Sequence, residues 1–140
     1  MSLRELAAQS KHKRRRSTLK RSRRKGFRAE RQLVKKLRDY GFKSVRVPVS
    51  ATRSERLPDV FATKGENLMA FEVKAYDADR AYFPRKEVEK LFGFLDLFDM
   101  YDRKIAVLAG KFPYKWVFRR VEKPDDYVLL REEESNIRFE

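Results

Sequence analysis

A chain of 140 residues has room for one domain, and its formal charge of +14 points to a polyanionic partner, nucleic acid above all. It has no cysteine and one histidine, His12, which excludes disulfides, a thiol nucleophile and thiolate- or histidine-based zinc sites, so any metal must be held by oxygen. No apolar run could span a bilayer and no secretory apolar segment opens the chain, which predicts an intracellular, cytoplasmic, nucleoid-associated protein away from membranes.

The first 25 residues hold eleven Lys or Arg against one acid, Glu5, and so carry ten of the fourteen net positive charges. With few apolar residues beyond Leu3, Leu6 and Leu19, residues 1–23 are expected to form a basic flexible tail, disordered or weakly helical when free. Such a tail would neutralise phosphates; the plain alternative is a solubilising extension or a nuclear-type address. Lys25 to Tyr40 then reads as a helix, with Phe27, Leu33, Val34, Leu37 and Tyr40 at the helical period and Gly41 as its stop. Glu30 falls near the centre of that apolar stripe. An ionised acid is costly to bury there, so this turn tilts to solvent, or Glu30 faces a cation, or Arg31 or another basic side chain folds over it.

Lys43 to Val49 reads as a strand ending near Pro48. The polar loop Ser50 to Leu57 carries Arg53, Glu55 and Arg56; it could close over a substrate backbone or be an ordinary surface connection. Asp59 opens the next apolar run, and the turn Lys64-Gly65-Glu66-Asn67 folds that run back beside Leu68 to Ala75, so Asp59 can approach Glu72. Alternation along the second strand puts Glu72 and Lys74 on one face, roughly 7 Å apart, and Met69, Phe71 and Val73 on the other. Two carboxylates beside an ammonium suit a metal-dependent nuclease. Hard oxygen ligands hold Mg²⁺ or Mn²⁺ against the charge that builds on an attacked phosphodiester, while the amine orients water or steadies the pentavalent phosphate. The competing reading is a solvated Glu/Lys surface pair.

Ala75 to Phe83 reads as irregular, and Pro84 as the start of a helix to about Met100. Its face of Val88, Leu91, Phe92, Leu95 and Phe98, widened by Phe94, Leu97, Met100 and Tyr101, is either core or a dimer contact. Ile105 to Ala109 and Trp116 to Phe118 read as strands, with Tyr127 to Leu130 a short last one. The expected fold is α/β, in the order α-β-β-β-α-β-β, a mixed central sheet flanked by helices. The expected organisation is the tail 1–23, a nuclease domain 24–131 and an acidic C-terminal tail 132–140.

The stretch Arg24-Lys25-Gly26-Phe27-Arg28-Ala29-Glu30-Arg31 through Leu37, with Gly41-Phe42, Val45-Arg46, Pro58-Asp59-Val60, Phe71-Glu72-Val73-Lys74 and Ala106-Val107-Leu108, resembles the archaeal Holliday junction resolvases. These are restriction-endonuclease-like nucleases with a Pro-Asp and Glu-x-Lys core, and the resemblance runs from about Arg24 to about Val121. It implies that Glu30, Asp59 and Glu72 bind Mg²⁺, with Mn²⁺ as a substitute, and that Lys74 completes the catalytic centre. It implies that Arg31 and Arg46 contact junction phosphates, with Arg24, Lys25, Arg53 and Arg56 as further DNA-binding positions. Ser50 stands where the family places a catalytic serine at the start of a mobile loop. The resemblance also implies a homodimer without nucleotide cofactor, whose two sites nick a four-way junction symmetrically. Glu87 stands where relatives often have glutamine, and the second helix lacks their more basic ending. The alternatives are a nuclease of this fold acting on other branched, damaged or sequence-specific DNA, or a non-catalytic nucleic-acid-binding protein.

Overall fold

The computed structural model describes residues 2–48 and 55–139, with side chains 7–19 and 22 left undescribed. In chain order the elements are α1 (Leu3–Asp39), β1 (Lys43–Arg46), β2 (Val60–Lys64), β3 (Asn67–Ala75), β4 (Arg80–Phe83), α2 (Arg85–Leu95), β5 (Arg103–Phe112), β6 (Lys115–Val121) and β7 (Tyr127–Leu130). The main sheet runs β1-β2-β3-β5-β6, and β4 pairs with β7 in a separate ribbon. Only β3 and β5 are parallel; the other pairs are antiparallel. A parallel pair needs a crossover, which here passes through β4 and α2. This is the mixed α/β architecture expected.

Alternation along β3 divides the core. Met69, Phe71 and Val73 join Ala29, Leu33, Val34 and Leu37 of α1 on one face. Leu68 and Ala70 join Val88, Leu91, Phe94 and Leu95 of α2 on the other. The α1 stripe ends as its spacing predicts. Phe42 N–H donates to Leu37 and Gly41 N–H to Arg38, with Gly41 at φ 89°, the left-handed turn that a glycine adopts without strain.

Four expectations are corrected. The helix expected to start at Lys25 is continuous from Leu3, so residues 3–23, expected to be disordered or weakly helical when free, belong to the same helix. Ser2 and Glu5 cap it reciprocally, and its Arg, Lys, Ala, Leu and Gln residues favour helix with no Gly or Pro before Gly26. The stretch read as irregular contains β4, whose Ala81 and Phe83 point inward; four residues give too short a pattern without their distant partner β7. The second helix ends at Leu95 instead of Met100: Leu97 and Phe98 donate to carbonyls three residues back, tightening the chain into turns and leaving Leu97 and Met100 exposed.

The acidic end, finally, is not a tail. Phe139 is buried among Phe42, Phe71 and Phe118, while Ser135 and Asn136 bond the backbone of β6 at Phe118 and Arg120. Charge in residues 132–134 masked the apolar anchor that follows, and the segment shields the outer edge of β6.

Candidate active site

The register that pairs Val60 with Phe71 places Asp59, one residue earlier, opposite Glu72. Asp59 N–H donates to the Phe71 carbonyl at 3.0 Å, and Val73 N–H donates to Asp59 Oδ2 at 2.9 Å, so backbone bonds fix the carboxylate at the strand crossing. The Asp59 and Glu72 carboxyls are close enough to perturb each other's ionisation. Burial raises both acids, and Glu72 well above the usual range because the Asp59 charge adds to it. Two adjacent buried carboxyls resist ionising together.

Glu30 arrives from the α1 face of the sheet. It is 6 % exposed, and Arg46 Nε on β1 donates to its Oε2 at 2.6 Å. Burial first, and then the Asp59 charge, push its pKa up to about 7 against the opposing pull of Arg46 and Arg31. Glu30 is thus near enough to Asp59 to feel its charge. Arg46 also lies over the Phe27 ring, 4.6 Å from its centroid.

Lys74 follows Glu72 on the same strand face. Its Nζ donates to Glu87 Oε1 at 3.0 Å and lies 2.8 Å from Oε2, an ion pair whose members are 23 % and 30 % exposed. Burial disfavours the ammonium, but the Glu87 hydrogen bond and charge, with lesser help from Tyr76 and Glu72, raise its pKa above the ordinary lysine value. The sequence marked Glu87 only as a departure from the family's glutamine, not as the partner of Lys74. The signal was there: Glu87 heads the inward row Leu91 and Phe94 in the first turn of α2, the same misplacement of an acid on an apolar stripe that singled out Glu30.

One end of β3 thus gathers Asp59, Glu72, Lys74 and Glu87, with Glu30 near enough to feel the Asp59 charge. The donor set is oxygen alone, and protons that carboxyls take up to ease mutual repulsion are what a hard divalent cation displaces, so the residues fit such an ion. Among the described residues, no three acidic side chains form a ready cation cage, and Glu30 is held by Arg46.

A model of the archaeal Holliday junction resolvase (hjc) family matches residues 21–140. The chain belongs to that family. Relatives include the crossover junction endodeoxyribonuclease Hje of Saccharolobus solfataricus, 36 % identical over 104 residues that cover 74 % of this chain and 77 % of that one. The Hje of Sulfolobus acidocaldarius is 42 % identical over 91 residues, 65 % of this chain and 66 % of that one. The crystal structure of Archaeoglobus fulgidus Hjc, a Holliday junction resolvase, superposes with a TM-score of 0.62 at 28 % identity, covering 75 % of this chain and 88 % of that chain. The fold is therefore that of the restriction-endonuclease-like resolvases, and residues 1–20 lie outside the family match.

Of the positions that the resolvase resemblance marks for DNA, Arg46 is in the site and Arg31, exposed on α1, lines a hollow beside it with Lys35 and Arg38. Arg24 is exposed, and Lys25 is paired with Asp77. Arg56 is drawn against α2 instead, where a β-carbon on Gly93 would come 2.4 Å from its Cδ. Ser50 and Arg53 fall outside the described residues.

Proposed function

We propose that this resolvase is a divalent-cation-dependent endodeoxyribonuclease that cuts four-way DNA junctions symmetrically as a homodimer. The observation that carries the reading is the fixing of Asp59 against β3 by the Val73 N–H, beside Glu72 and Lys74, with Glu30 near enough to feel the Asp59 charge. Membership of the resolvase family supplies the junction as substrate, and the net charge suits it.

Asp59 and Glu72 would hold Mg²⁺, with Mn²⁺ as a substitute and Glu30 the third ligand; the ion supplies Lewis acidity for phosphodiester hydrolysis. Asp59 is held rigid by the Val73 N–H, so little reorganisation is needed when ion and DNA arrive. Lys74, kept as an ammonium, donates to the phosphate as charge builds on it. Arg46 and Arg31 take neighbouring phosphates and set the strand's register over the acids, while base edges are left unread. The helical basic extension of α1 reaches further phosphates, raising affinity without sequence preference. Exposed Leu97 and Met100, just after α2, are apolar surface suited to a two-fold contact between copies. Action on chromosomal junctions places the protein in the cytoplasm with the nucleoid. Among the described residues no helix is long and apolar enough to cross a membrane.

The test is to supply labelled four-way junction, fork and linear duplex with Mg²⁺, alongside Asp59→Ala. Paired nicks confined to the junction and abolished in the variant are expected. Equal cutting of linear duplex, or no cutting by a folded wild type, would reject the reading.

A further inference from the structure

We propose that Glu87 is the positioning residue for Lys74, and that by gripping the ammonium it keeps Lys74 off the two carboxylates that take the cation. The proposal rests on the nuclease reading above. Lysine has a flexible four-carbon stem, and Lys74 has two acids within reach: Glu72, two residues back on the same strand face, and Glu87 across the gap on α2. The structure resolves that competition in one direction. Lys74 Nζ sits 3.0 Å and 2.8 Å from the two Glu87 oxygens, and among the described residues no hydrogen bond or ion pair joins it to Glu72.

The Glu87 contact is also directional. Oε1 accepts a hydrogen bond from Lys74; Oε2 is buried and makes none, so its charge is answered by the ammonium beside it. Glu87 therefore has as much need of Lys74 as Lys74 has of it, and an ammonium with three donors can hold this partner while presenting another N–H to a phosphate. Without Glu87, Lys74 is left with Glu72, whose charge it already feels on the same strand face. The ammonium would then neutralise a carboxylate meant for the cation and leave the phosphate without its donor. One substitution should harm both cation affinity and turnover, and both through Lys74.

The experiment is a double-mutant cycle on the full chain, combining Glu87→Ala with Lys74→Ala, with Glu87→Gln as the variant that keeps an acceptor oxygen. Mn²⁺ binding without DNA and single-turnover junction cleavage are both read. Glu87→Ala is expected to weaken Mn²⁺ binding several-fold and slow cleavage by about 10- to 100-fold, with junction affinity unchanged. Glu87→Gln should recover part of each. In the Lys74→Ala background, adding Glu87→Ala should change Mn²⁺ affinity by less than about twofold. A full Mn²⁺ effect in that background would mean that Glu87 attracts the cation directly and would overturn the proposal. So would normal Mn²⁺ binding and cleavage in Glu87→Ala. A wild type that binds Mn²⁺ yet cuts no DNA would instead overturn the nuclease reading beneath it, an outcome the Mn²⁺ isotherms keep distinct.

Discussion

The two faces of the sheet each deliver one ion pair to the same end of β3, and the pairs are unlike. On the α1 face the acid is the buried partner: Glu30 has an 8 % exposed side chain, its base Arg46 is 23 % exposed, and burial pushes the acid up to about 7. On the α2 face Lys74 and Glu87 are buried to a similar degree, 23 % and 30 % exposed, and the ammonium is stabilised instead. A buried carboxylate with a single arginine partner is poorly compensated, and such a group gains most from an arriving divalent ion. A balanced, partly buried pair fixes a side chain without making it hungry for charge. On the proposed reading, the same chemistry of acid and base would reserve a ligand on one face and aim a donor on the other, with burial deciding which.

The sharpest way to break this contrast is Lys74→Ala. If the α2 pair aims a donor at the transition state, turnover should fall on the order of 10²- to 10³-fold while junction affinity, measured with Ca²⁺ in place of Mg²⁺, stays close to wild type. An equal loss in affinity would reduce Lys74 to a binding lysine.

The α1 pair makes a smaller prediction, in stability. Glu30 rises from 4.5 to about 7 on folding, so the folded chain holds this proton more tightly than the unfolded chain does. The resulting stabilisation is fully present below pH 4.5 and is lost as pH climbs through 7, amounting to roughly 3 kcal/mol for the cation-free protein. Glu30→Gln, which mimics the protonated acid, should flatten urea midpoints across that window. A wild-type profile already flat there would show that Arg46 compensates the charge fully.

The gentlest test concerns the far half of α1. Removing residues 2–20, outside the family match, should weaken junction binding and lower its salt dependence while leaving the cut positions unchanged, because phosphate contacts carry no sequence information. Shifted cut positions would give the arm a part in placing the junction.

Much of the site was legible because strand chemistry is local. Asp59, Glu72 and Lys74 lie on two strands joined by one tight turn, so alternation and register suffice to bring them together. Glu30 was legible for the opposite reason: a charge on an apolar stripe is a contradiction that only a partner can remove. Glu87 shows the same contradiction more faintly, since a first-turn acid is also what a helix N-terminus favours, and its partner Lys74 comes from a strand thirteen residues away.

What the sequence determined by itself was the oxygen-only donor set, the Asp59 and Glu72–Lys74 constellation, the α1 stripe and the cationic character of the N-terminal half of α1, all properties of composition or of short-range periodicity. Only the tertiary structure decided which base answers which acid, that Phe139 returns to the core, and that β4 finds β7. Those outcomes depend on burial and on contacts between segments far apart in the chain, where desolvation and packing set the energies and local pattern carries no record of them.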